Sequence, residues 1–231
     1  MKVPVLHKWD LSPAEAIAVQ QKLRVMVVTR NELSQVHTVA GVDISTTGQR
    51  AHAAIVVLNF PHLQPLEAAQ AELPLVFPYI PGLLAFREAP AILAAVERLP
   101  IEPDLFIVDG QGLAHPRRMG IASHIGVIID KPSIGCAKSL LCGQHGPVGP
   151  KVGDYSEIDD HGEVIGVALR TREGTKPVYV SIGHKIDLAT AVSYVLQCVK
   201  GYRLPEPIRW AHQVAGGAKL PGMRAEQRTL F

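Results

Sequence analysis

Val39-Ala40-Gly41-Val42-Asp43-Ile44 and Leu105-Phe106-Ile107-Val108-Asp109 are two apolar, strand-like runs, each interrupted by one aspartate. A carboxylate in a half-buried central strand costs on the order of several kcal/mol unless a cation or hydrogen-bond donors compensate it. Asp109 closes its run at the carboxyl end of a strand, where open α/β sheets place their ligands. If the two strands are parallel neighbours, their carboxylates meet across the sheet. Glu88 lies on a helix-like stretch between them and can reach the same point from one side. Three converging carboxylates repel each other unless divalent cations neutralise them, and hard oxygen donors select Mg2+, with Mn2+ as a substitute. Two such ions about 4 Å apart activate water and stabilise the leaving oxygen in phosphodiester hydrolysis. Taken singly, each acid could be a cap, an ion-pair partner or a turn residue. Taken together, in this order and on these elements, they point to a metal site for phosphoryl chemistry.

The segments around these runs describe an α/β frame. Ser12-Pro13-Ala14-Glu15 is a capping box with proline at the first helical position, predicting a helix from there to about Val28. Strand-like runs at Val36 to Ser45 and Ala51 to Asn59 flank a turn-prone Thr46 to Arg50, and a third, less patterned run spans Leu66 to Val76. They read as an antiparallel meander. Phe77-Pro78-Tyr79-Ile80-Pro81-Gly82 must be a shaped loop, because two prolines and a glycine punctuate it. Helical spacing covers Leu83 to Arg98, with Pro90 marking a possible break. After the strand at Pro103 to Val108, a helix is predicted over Met119 to His124 and a central strand over Ile125 to Ile129. Val164 to Arg170 and Pro177 to Ile182 read as a strand pair, Asp187 to Lys200 as a capped helix, and a last helix is expected within Glu206 to Ala215. The tail from Gly216 reads as mobile.

With 231 residues, 47% of them hydrophobic, the chain can bury a full core and falls in the size range of one α/β domain. It has no signal-peptide pattern and no apolar run of the roughly 18 residues that span a membrane, so it reads as a soluble, cytoplasmic protein without a membrane partner. Cys136, Cys142 and Cys198 are odd in number and lack CxxC spacing, which argues against disulfides and a zinc site. The net charge is only +2, yet two segments are basic. Residues 111–151 carry Arg117, Arg118, Lys131, Lys138 and Lys151 against Asp130 alone; residues 200–231 carry Lys200, Arg203, Arg209, Lys219, Arg224 and Arg228 against Glu206 and Glu226. If the two share a face, that face suits a polyanion.

The strings Gly41-Val42-Asp43, Tyr79-Ile80-Pro81-Gly82-Leu83-Leu84-Ala85-Phe86-Arg87-Glu88, Asp109-Gly110-Gln111-Gly112-Leu113-Ala114-His115-Pro116-Arg117-Arg118 and Gly135-Cys136-Ala137-Lys138-Ser139 resemble the endonuclease V family. The resemblance covers nearly the whole chain. It implies a ribonuclease H-like α/β fold, with a mixed five-stranded central sheet flanked by helices and further C-terminal strands and helices. It implies a single monomeric domain over 1–231 with its core at about 36–200. The metal, Mg2+ or Mn2+, is then held by Asp43, Glu88 and Asp109, and the partner is DNA containing deoxyinosine, with inosine-containing RNA as the alternative. Relatives cut the second phosphodiester bond on the 3′ side of inosine, leaving 3′-OH and 5′-phosphate ends and the damaged base in place.

The remaining candidates carry open alternatives. His115 lies in a basic loop, where its imidazole could touch a phosphate or simply sit on the surface. The Lys138 ammonium, after a Gly135-Cys136-Ala137 turn, could neutralise the scissile phosphate or be an ordinary exposed lysine. His212 could order water or a second ion's ligands, or be a satisfied helix residue. Tyr79 could wedge into a base stack vacated by a flipped nucleotide, or pack its loop onto the core. Pro81 and Leu84 share that loop and, with Arg117, Arg118, Gly110, Gly112 and Gly135, complete the nucleic-acid-binding set that the resemblance implies. The glycines allow backbone to approach a flat base, and a pocket of main-chain N–H and C=O groups could distinguish hypoxanthine from adenine and guanine. Two other readings share part of this pattern. Another ribonuclease H-like nuclease, such as a ribonuclease or junction nuclease, would keep the acids without a base pocket, and an inosine-binding recruitment protein would have no use for the acids.

Overall fold

The computed structural model describes residues 1–220. The predicted capping box opens α1 (Pro13–Leu23): the Ser12 hydroxyl accepts from the Glu15 amide at 3.3 Å and the Glu15 carboxylate accepts from the Ser12 amide at 2.8 Å. A 3-10 turn, Arg24–Met26, ends it before Val28. The chain turns extended there because the Val28 amide donates to Nδ1 of the buried His184 at 3.2 Å. β1 (Thr38–Thr47), β2 (Arg50–Asn59) and β3 (Pro65–Pro74) form the expected meander, the first two joined at Gly48, whose φ of +59° suits glycine. α2 (Leu84–Glu97) runs through Pro90 without breaking. Its apolar face, Ala85, Phe86, Ala89, Ile92, Leu93 and Val96, is buried, and that burial outweighs the roughly 3 kcal/mol cost of an internal proline.

β4 (Leu105–Val108) pairs parallel to β1 with Val42 opposite Val108. One expectation fails next. Ile125–Ile129 is the second half of α3 (Ile121–Ile129), and the strand is β5 (Ser133–Ala137), which pairs parallel to β4. The cause is burial on every side: all nine residues of α3 are buried, so the run shows no 3.6-residue pattern by which to tell helix from strand. Asp130, left-handed at φ 52°, ends the helix. β6 (Tyr155–Asp160), not anticipated, precedes β7 (Glu163–Leu169) and β8 (Val178–His184); α4 (Leu188–Gln197) and α5 (Glu206–Ala215) complete the frame.

Among the described residues the sheet has eight strands in the order β3-β2-β1-β4-β5-β8-β7-β6. The five-stranded mixed sheet is its first part, and the later strands extend the same sheet rather than forming a separate layer. α2 and α3 cover one face, packing on Ala40, Val42, Ile55, Val57, Phe106 and Val108; α4 and α5 cover the other, packing on Val39, Ala54, Val56, Leu105, Ile107 and Ile134. Side chains alternate between faces. Asp43 therefore shares the α5 face with Val39 and lies under that helix. Gly41 permits the approach: a Cβ there would meet the Pro207 carbonyl oxygen at 1.9 Å, so only glycine lets the start of α5 rest on β1. The tail is anchored at least as far as Leu220, which is buried; the remainder of the tail expected to be mobile, with Arg224, Glu226 and Arg228, lies outside the described residues.

Candidate active site and nucleic-acid interface

The Asp109 amide donates to the Val42 carbonyl at 2.9 Å, which carries the β1–β4 pairing one step beyond Val108 and sets Asp43 and Asp109 side by side at the carboxyl end of β4. Asp43 is 7% exposed. Its Oδ1 accepts from the Ile44 amide at 2.8 Å, and its Oδ2 lies 2.6 Å from His212 Nδ1 on α5. Asp109 Oδ2 accepts from Lys138 Nζ at 2.5 Å, just past the end of β5. Glu88 enters from the first turns of α2, on the opposite side of the sheet. The five residues proposed for catalysis, Asp43, Glu88, Asp109, Lys138 and His212, thus come together from β1, α2, the end of β4, the end of β5 and α5.

The electrostatics of this group fit a cation. Burial, then the Asp43 charge, pushes the Glu88 carboxyl up to about 7, with Asp109 adding to the rise and Arg87 opposing it. Burial and the Asp43 charge likewise hold Asp109 at about 6, against the pull of Lys138 and His212. Burial alone would lower the Lys138 ammonium, yet the hydrogen bond and charge of Asp109 outweigh it and raise it. Carboxylates that resist ionising together lack positive charge, and an all-oxygen donor set suits Mg2+ or Mn2+. Among the described residues no three His, Cys, Asp or Glu side chains already close into a ligand cage. Lys138 and His212 each hold one oxygen of Asp109 and Asp43, which leaves the remaining lone pairs of these carboxylates for an ion.

The loop of residues 77–83 leads into α2, which carries Glu88, and Arg87 Nη1 donates to its Phe77 carbonyl at 2.8 Å. Tyr79 is 72% exposed, so it does not pack its loop onto the core, and Pro81 is exposed beside it, with Leu84 half-buried at the start of α2. The exposed ring stands on a rigid base. The Gly82 carbonyl accepts from His115 Nε2 at 2.8 Å, Arg117 Nη2 at 2.7 Å and Gln20 Nε2 at 3.0 Å.

Several predicted nucleic-acid contacts have other partners. His115 is 3% exposed, so its ring does not face a phosphate: Nε2–H serves Gly82, Nδ1 accepts from the Arg117 amide at 3.1 Å, and burial holds its pKa at about 4, as that neutral tautomer requires. Arg117 bonds Gln20 and Gly82. Arg118 is paired with Asp160 at 2.9 Å and Glu163 at 2.7 Å, and Lys131 with Glu102. Arg203 donates to the carbonyls of Lys138, Lys176 and Pro177, and Arg209 pairs with Glu206 and lies over the Tyr202 ring. Much of the basic charge is therefore matched by acids and carbonyls distant in sequence, which a segment count cannot register. Gly112 and Gly135 are buried rather than open to a ligand: a Cβ on Gly112 would meet the Ile182 carbonyl oxygen at 2.0 Å, and one on Gly135 the Gly112 nitrogen at 2.3 Å. They are glycines because backbone stacks on backbone there, which leaves Gly110, half-buried, nearest the surface.

Sequence reasoning passed over Gln20, Gln111 and Ser181. The Ser181 hydroxyl accepts from the Gly112 amide at 2.9 Å, and Gln111 Nε2 donates to the Ser139 carbonyl at 2.8 Å, bracing the segment after Lys138. Gln20 carried a readable signal, since it interrupts the buried Ala16–Leu23 stripe of α1.

The family model for endonuclease V matches residues 21–213. The endonuclease V of Roseiflexus sp. (strain RS-1) is 54% identical over 213 residues, covering 92% of this chain and 96% of that one. The crystal structure of endonuclease V from Streptomyces avermitilis superposes with a TM-score of 0.86 at 40% identity, covering 90% of this chain and 93% of that one. Endonuclease V of Ciona intestinalis, crystallised with a 23mer DNA containing an inosine followed by a ribo-adenosine, superposes at 0.78 with 29% identity, covering 89% and 97%. No helix of the described residues is long and apolar enough to cross a membrane. The fold is ribonuclease H-like, as the resemblance implied, and by sequence and structure alike the chain belongs to the endonuclease V family of nucleases.

Proposed function

We propose that this protein is a Mg2+-dependent endonuclease that nicks a DNA strand at the second phosphodiester bond 3′ to deoxyinosine, leaving 3′-OH and 5′-phosphate ends. The observation that carries the reading is the registered β1–β4 pairing, which sets Asp43 beside Asp109 with Lys138 against the latter. Asp43, Glu88 and Asp109 would hold the ion, and Mn2+ shares the oxygen preference. A divalent ion there supplies a Lewis acid for the phosphate and a water more easily deprotonated. Lys138 would turn from Asp109 to neutralise the scissile phosphate. His212, oriented by Asp43, would take or give a proton at its exposed Nε2. Tyr79 would fill the stack left by the flipped base, with Pro81, Leu84 and Gly110 around it. Gly112 and Gly135 would form the backbone floor beneath, while His115 and Arg117 would act by holding the loop.

We read residues 1–231 as one monomeric domain with its core at about 36–200, working in the cytoplasm. Inosine-containing RNA is the second substrate reading, because the Ciona relative was crystallised with a ribonucleotide directly after the inosine. End-labelled strands carrying inosine or adenosine at one position, in DNA and RNA, with Mg2+ or with chelator, test the reading. A cut one nucleotide beyond the inosine linkage, in Mg2+ alone, is expected; equal cutting of adenosine strands would refute it.

A further inference from the structure

We propose that Gln20 is a positioning residue for lesion recognition: from α1 it locks the Tyr79 loop to the segment that follows Asp109, a role that rests on reading Tyr79 as the wedge. Gln20 is 1% exposed and lies on the buried stripe of α1, where an apolar residue would pack as well. A buried amide there is costly unless its groups are bonded. Its Nε2 donates to the carbonyls of Gly82 and Met119, each at 3.0 Å, and its Oε1 accepts from Arg117 Nε at 2.6 Å. One side chain thus ties together three segments far apart in sequence: the wedge loop at Gly82, the basic segment at Arg117, and the entry to α3 at Met119.

Gly82 is the hinge of this arrangement. Its φ is +79°, and a Cβ on it would lie 2.8 Å from Arg117 Nη2, so the loop is fitted to the guanidinium. Arg117 in turn keeps its angle because Gln20 holds Nε while Gly82 takes Nη2. Without Gln20, Arg117 Nε and the Met119 carbonyl lose a partner, and the Gly82 carbonyl loses one of its three donors. The exposed ring of Tyr79 then stands on a loop free to drift, and drift at a recognition group weakens binding while sparing chemistry at the acids. Gln20 is distant from that chemistry, bonding none of Asp43, Glu88 or Asp109.

The test is Gln20→Met, which keeps the length and removes every hydrogen bond, with Gln20→Glu as the second variant, which keeps the Arg117 partner and loses the two donors. Steady-state kinetics are read on an inosine strand in Mg2+, with plain-strand binding and thermal melting alongside. The expected result is KM raised at least about tenfold with kcat within about twofold, plain-strand affinity unchanged, and little further loss when Tyr79→Ala is added, because both changes act through one loop. Unchanged KM in either folded variant, a fall in kcat at constant KM, or losses that multiply with those of Tyr79→Ala would overturn the role of Gln20. If Tyr79→Ala alone retained full inosine preference, the wedge reading would fail, and this inference with it.

Discussion

Glu88→Gln exposes the charge imbalance of the acidic cluster as a stability change. In the unfolded chain Glu88 ionises at 4.5, whereas in the folded protein burial and Asp43 hold it at about 7. As pH rises from 4.5 towards 7 the unfolded chain releases this proton and the folded one keeps it, so stability falls across that window and the loss is complete above about 7. At roughly 1.4 kcal/mol per pH decade between the two values, the ionised glutamate costs up to about 3 kcal/mol. Its partial contact with solvent brings the figure to about 1–2 kcal/mol. Glutamine has the same shape and never ionises. In chelator at pH 8 the variant should therefore melt above wild type, by about 2–8 °C at the roughly 2–4 °C per kcal/mol expected for a protein of this size. At pH 4.5 the two should melt together, and saturating Mg2+ at pH 8 should close or reverse the gap, because the ion stabilises the glutamate form, with its third carboxylate, more than the glutamine form. Differential scanning calorimetry at the two pH values, with chelator and with Mg2+, gives all the curves. A variant that melted at or below wild type in chelator at pH 8 would refute the reasoning.

Four other outcomes follow from particular residues. Gly41→Ala drives a Cβ to 1.9 Å from the Pro207 carbonyl and should cost more than about 3 kcal/mol in urea denaturation, with loss of His212 from Asp43. Tyr79→Ala should leave the melting temperature within about 1 °C, since the ring is 72% exposed, while weakening inosine-strand binding in a fluorescence titration. His124, fully buried against His7, is held at about 3 by burial, so it contributes stability present above 6.5 and lost as pH falls towards 3. His124→Phe should flatten the acid side of the stability curve, and an unchanged acid limb would contradict this. Arg118→Ala should lower stability through Asp160 and Glu163 yet leave the slope of log DNA affinity against log salt unchanged, whereas loss of a free phosphate-binding arginine would reduce that slope by about one unit.

Asp43 and Asp109 were legible because each broke an apolar run, and their meeting was expected on the condition that the two strands are parallel neighbours, as β1 and β4 are. α5 was legible as a helix within Glu206 to Ala215, because its apolar stripe and the prolines at its start are local. What could not be read depends on contacts between distant segments. Ile125–Ile129 looked like a strand because α3 is buried all round, so its helical period leaves no trace in polarity. The basic segments looked free because Asp160, Glu163 and Glu102 lie elsewhere in the sequence, and Gly112 looked like a pocket wall because the Ile182 backbone that fills the space comes from β8. His115 looked like a phosphate contact for the same reason: the Gly82 carbonyl that claims it lies on another loop.

The most direct measurement is the single-turnover cleavage rate of an inosine-containing strand in Mg2+ for wild type, Asp43→Asn and Asp109→Asn, each checked for folding. Each substitution keeps the side-chain shape and removes one charge of the proposed ion site. Wild type should cut, and both variants should fall by roughly a thousandfold or more, the scale of losing a preorganised electrostatic group. Folded variants that cut within about tenfold of wild type would contradict the assignment of Asp43 and Asp109 to a metal site.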